Sequence, residues 1–78
     1  MIEIRISEEL WVSRMLPEGL VERWLVPDGA EISRGQPLIM VRIEDALHEI
    51  TAPAPGRLSK LLGPQDLIEP GSIVGTLE

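Results

Sequence analysis

An all-β fold is predicted, a flattened barrel or two-sheet sandwich of two related halves, and three observations predict it. Seven prolines and seven glycines cut the 78 residues into short pieces, which leaves little room for a helix of ordinary length. Between the breaks, apolar residues recur at every second position, the period of a strand. The order of glycines and apolar residues in one half then returns in the other. Two sheets, each apolar on one face, bury those faces by packing together.

Ile2-Glu3-Ile4-Arg5-Ile6 is the strictest alternation. Looser ones follow over Leu20–Val26, Ile39–Ile43, Ala46–Ile50 and Ile73–Leu77. The one helical candidate is Ser7 to Met15, where Ser7-Glu8-Glu9-Leu10 resembles an N-cap with acids in the first turn. No helical stripe continues beyond it, so a single turn is expected. Ile43-Glu44-Asp45-Ala46 joins two alternating segments. Aspartate bonds nearby backbone amides in turns, so a β-hairpin with Glu44 and Asp45 at its exposed tip is predicted.

The repeat sets Gly19-Leu20-Val21, Leu25-Val26, Asp28-Gly29, Ile32, Gly35 and Leu38 against Gly56-Arg57-Leu58, Leu61-Leu62, Gln65-Asp66, Ile68, Gly71 and Val74. The first glycines lie 37 residues apart and the last 36, so one residue is expected to be missing from the second loop. Neither half can bury its apolar face alone, which predicts a quasi-two-fold barrel.

Composition removes whole classes of function. The chain reads as one domain, residues 1–78, too small for a deep catalytic cleft of its own. With no cysteine and one histidine, His48, it has no disulfide, no Cys nucleophile and no multi-histidine metal site. Seven basic residues against 13 acidic ones give a net charge of -6, which argues against nucleic acid as a partner. Runs such as Leu38-Ile39-Met40-Val41 are too short to span a bilayer. Met1–Arg5 lacks the form of a signal peptide, so the expected location is cytoplasmic.

Taken in order, these pieces resemble the biotinyl/lipoyl attachment domain family, the swinging-arm carriers of 2-oxo acid dehydrogenases and biotin carboxylases. The resemblance runs from Ile2 to Leu77. Glu18-Gly19-Leu20-Val21-Glu22-Arg23-Trp24-Leu25-Val26-Pro27-Asp28-Gly29 resembles the family's glycine-led strand and turn. Glu49-Ile50-Thr51-Ala52-Pro53-Ala54-Pro55-Gly56 resembles its crossover between halves, and Ile68-Glu69-Pro70-Gly71 its closing turn. The resemblance implies a barrel-sandwich hybrid with lipoate or biotin amide-linked to a lysine at the hairpin tip. Counted back from Ala52-Pro53, Ala46 takes the family's alanine position, Asp45 that of the lysine and Glu44 that of the preceding acid. Arg42 stands where lipoyl domains commonly have an acid. An amide link needs a primary amine, which neither aspartate nor arginine supplies. The one lysine, Lys60, falls in the second half.

The expectation is therefore a lipoyl-like domain with no cofactor and no catalytic or metal-ligating residue. It would serve as a non-catalytic interaction or assembly module for components of a 2-oxo acid dehydrogenase or a biotin-dependent enzyme. Arg42, Glu44, Asp45 and Trp11 are its candidate contact residues. Two alternatives stand beside it, a genuine carrier modified at Lys60 and a structural lipoyl-like domain. Each singled-out residue also has a plain reading: Glu44 and Asp45 as a solvated acidic tip, His48 as a partly buried side chain with a satisfied nitrogen, Trp24 as core. Trp11 is expected either to cover the barrel edge or to stand exposed as an anchor. No oxyanion-type turn or phosphate-cradling glycine loop accompanies them.

Overall fold

The computed structural model describes residues 1–12 and 18–78. Its eight strands are β1 (Ile2–Arg5), β2 (Gly19–Trp24), β3 (Glu31–Ile32), β4 (Pro37–Ile43), β5 (Ala46–Thr51), β6 (Gly56–Lys60), β7 (Leu67–Ile68) and β8 (Ile73–Leu77). They form two four-stranded antiparallel sheets, ordered β1-β8-β6-β3 and β5-β4-β2-β7. The body is flattened, 35 × 20 × 16 Å. One 3-10 turn, Glu8–Trp11, interrupts the strands, and the Ser7 hydroxyl caps it by accepting from the Glu9 N–H. Residues 13–15 of the expected helical turn lie outside the described residues.

The two sheets have the same order once β1 is matched with β5, β8 with β4, β6 with β2 and β3 with β7. The irregular hydrogen bonds match as well. Gly35 N–H donates to Ala52 O as Gly71 N–H donates to Ile6 O, and Leu25 N–H to Leu38 O as Leu61 N–H to Val74 O. Each short strand crosses to the other half's sheet, β3 pairing with β6 and β7 with β2. The core is built from matched positions: Val21 and Leu58, Ile32 and Ile68, Leu38 and Val74, Val41 and Leu77, all buried. This is the quasi-two-fold barrel that the repeat predicts.

The break in the repeat lies elsewhere than expected. No residue is missing from the second loop. The register of β2 against β4 shifts between Val21 and Arg23, whereas β6 against β8 runs without a shift. The extra residue is Glu22, held in a β-bulge of the first half.

Candidate functional site

The β4–β5 hairpin ends in a two-residue turn, since Ile43 pairs with Ala46 and leaves Glu44 and Asp45 between the strands. Both are exposed. Glu44 has a φ of 55°, in the left-handed region that favours glycine. Buried Ile43 anchors the base of the tip, and so does Gly19, where a Cβ would stand 2.7 Å from the Arg42 carbonyl oxygen.

Arg42 lies on the outer face one step from the tip. Its Nε donates to Glu22 Oε1 at 2.9 Å. The extra residue of β2 is thus the one that holds this arginine. The hydrogen bond to Glu22 and the charge of that carboxylate raise the guanidinium above its ordinary value, and Asp45's charge adds to the effect. The changed spacing of the repeated glycines was the one sequence signal for Glu22.

Strand pairing sets Leu47, Arg42, Leu20 and Leu67 side by side across the outer face of this sheet. Leu67 is 72% exposed and Leu47 50%. Glu18, Gly19, Leu20, Arg42, Glu44 and Leu67 line a shallow pocket of about 200 Å³. A second pocket, about 310 Å³, shares Glu18 and Leu67 and continues to Ile68 and Glu69.

The other singled-out residues stand apart from the tip. Trp11 is 7% exposed and packs in the core, its indole N–H 3.4 Å from the Glu18 carbonyl oxygen. This corrects its reading as a surface anchor: burial of the ring leaves no face for a partner. Trp24 packs against the core and donates to Leu62 O at 2.8 Å. His48 is partly buried opposite Val41. The nitrogen expected to be satisfied is not: Nε2 is buried without a hydrogen-bond partner among the described residues. Lys60 closes β6 with its amine 5.1 Å from the centre of the Trp24 ring. Trp24 pairs with Ile39, four residues before the end of β4, a distance of about 13 Å along the strand from the tip. Among the described residues no group of three or more His, Cys, Asp or Glu side chains could hold a metal, and no helix is long and apolar enough to cross a membrane.

A flattened barrel of two exchanged halves, offering one tight hairpin turn, defines a lipoyl-type carrier fold. The family model described as "Biotin-requiring enzyme" (Biotin_lipoyl) matches residues 12–77, and the chain belongs to that family. The solution structure of the lipoyl domain of the 2-oxoglutarate dehydrogenase complex from Azotobacter vinelandii superposes with a TM-score of 0.78. It covers 100% of this chain and 96% of that one at 19% identity, a likeness of fold. No curated protein matches the chain.

Family membership corrects one expectation. A domain with no cofactor was anticipated, whereas the family is one of lipoate and biotin carriers. The expectation rested on residue chemistry at a single turn, and the family is defined by the whole barrel. The donor chemistry at that turn remains a fact of this chain: Glu44 and Asp45 carry carboxylates, and an amide link to either cofactor needs an amine. The turn side chains therefore do not fit the group as it is ordinarily attached.

Proposed function

We propose that this chain is a lipoyl-type domain that works by protein contact, presenting the Glu44–Asp45 tip to a component of a 2-oxo acid dehydrogenase or of a biotin-dependent enzyme. In this reading Asp45 occupies the place of the family's attachment lysine, and the domain performs no reaction of its own. One observation carries the proposal: an intact carrier fold displays two carboxylates at the turn that the fold exists to present. Charges at such an exposed point steer encounter and set partner choice.

The test is calorimetric titration of the domain with purified components of a 2-oxoglutarate dehydrogenase complex and with a biotin carboxylase. A component should bind the natural chain, and the neutral pair Glu44→Gln with Asp45→Asn should weaken that binding about tenfold at low salt. Equal binding by the neutral tip, or no binding by any component, would overturn the proposal. A second reading rests on Lys60 as the one side-chain amine in the sequence. It makes the domain a carrier modified on β6. Intact-mass spectrometry of natively expressed protein decides it: an added lipoyl or biotinyl group that vanishes in Lys60→Arg supports this reading, and an unmodified mass removes it.

A further inference from the structure

The fold contains its own control for the face beside the tip. Leu20 pairs with Leu67 and with Arg42. At the matching place in the other sheet Arg57 pairs with Glu31, and its backbone exchanges hydrogen bonds with Glu78. Glu31 and Arg57 form an ion pair there at 3.5 Å, with side chains 77% and 69% exposed. The same backbone positions are thus charged on one side of the molecule and leucine on the other. The fold does not require leucine at either place. An exposed leucine costs solubility and gains nothing from burial within the chain.

The leucines also have a charged border. Glu18 and Glu69 line the adjoining pockets with Leu67, and Asp45 stands at the tip above them. The arginine in the row is already held by Glu22. Two copies of this face would bring like-charged borders together, in a chain of net charge -6, which disfavours self-association through it. We infer that the outer face formed by Leu47, Leu20 and Leu67 is a docking groove for a segment of a partner protein in which apolar side chains alternate with basic ones. The apolar side chains seat between Leu20 and Leu67, and the basic ones meet Glu18, Glu69 and Asp45. The inference rests on the reading of the hairpin end as a contact surface and names the chemistry of the partner.

The experiment is peptide titration of the nitrogen-15-labelled full chain, followed by amide shifts in NMR. The probe is a short peptide of alternating lysine and leucine. Its controls alternate glutamate with leucine and lysine with serine. Shifts should cluster at Glu18–Leu20, Arg42 and Leu67–Glu69, sparing Glu31 and Arg57, with the lysine–leucine peptide alone. Leu67→Glu, which installs the residue found at the matching position, should weaken binding at least about tenfold. Leu67→Ser provides the same reading without the added charge, and Glu31→Leu should change nothing. Equal response to the lysine–serine peptide, shifts spread over the acidic surface, or no response to any peptide would overturn the inference. Concentration-dependent broadening at Leu20 and Leu67 without peptide would overturn it in favour of a second copy. Failure here is separable from failure of the proposed function. Component binding that survives Leu67→Glu and is lost in the neutral tip removes the groove alone. Peptide binding at the groove with no dehydrogenase or carboxylase component recognised removes the choice of complex alone.

Discussion

In the proposed reading Asp45 takes the place of the family's attachment lysine, between Glu44 and Ala46. Asp45→Lys places an amine after Glu44 and before Ala46 at an exposed position, so its stability cost should stay within about 0.5 kcal/mol. A lipoate ligase should then add its group to the variant, detected as an increase in intact mass. A folded but unmodified variant would point to a further requirement of the ligase, the first candidate being the acid expected at the place of Arg42. Glu22 bears on that point. Glu22→Ala should leave thermal stability nearly unchanged and should speed exchange of the Arg42 Nε proton, since it removes the 2.9 Å acceptor. The pH dependence has a fixed sign. Arg42's pKa is raised above its ordinary value by Glu22, so the guanidinium keeps its charge up to that ordinary value and gives it up only as pH rises through the raised one. The Arg42 Cζ shift should therefore show no titration step from mildly acidic to mildly alkaline solution, and a step near neutrality would overturn that sign.

Among the turns, the repeat isolates the effect of one residue type. Gly29 and Gln65 occupy matching positions in the two halves with φ values of 82° and 75°. Each N–H bonds across to the partner half, Gly29 to Leu58 O and Gln65 to Val21 O. Glycine adopts this conformation without penalty, whereas a side chain costs about 1 kcal/mol. Gln65→Gly should raise stability by about 0.5 kcal/mol at most, after allowance for the entropy glycine gains in the unfolded chain. Gly29→Gln, with open space around the new Cβ, should lower it by a similar amount. Urea denaturation measures both, and a loss of stability in Gln65→Gly or a gain in Gly29→Gln would refute the equivalence. The same comparison shows what the sequence could convey. Alternation revealed β1, β2, β4, β5 and β8 because strands of four to seven residues are long enough to show a period of two. It could not reveal β3 and β7, two residues each, because a strand that short has no period and exists only through its partner in the other half. The hairpin tip was legible from turn chemistry. The leucine row was not, since a lone exposed leucine is ordinary and only the matched Glu31 and Arg57 make Leu67 and Leu20 conspicuous.

For the molecule as a whole, the exchange of β3 and β7 decides how it unfolds. Were each half to keep its own short strand, the two could melt separately. Instead β2 is flanked by β7 and β6 by β3, so each sheet needs both halves. The core is likewise shared, with Val21 and Leu58 both fully or nearly fully buried in one cluster. A chain this small keeps only a modest margin of stability, about 5–15 kcal/mol at most for natural domains. Leu58→Ala should remove about 2–4 kcal/mol of it, and Val21→Ala somewhat less because fewer methyl groups are deleted. Either change should lower amide-exchange protection in both sheets together, for the matched residues of β4 and β8 alike. Thermal unfolding should stay a single transition in each variant, coincident by circular dichroism and by tryptophan fluorescence. Protection that falls in one sheet only, or two separated transitions, would mean that the halves are independent units and that the exchanged strands are not what binds them.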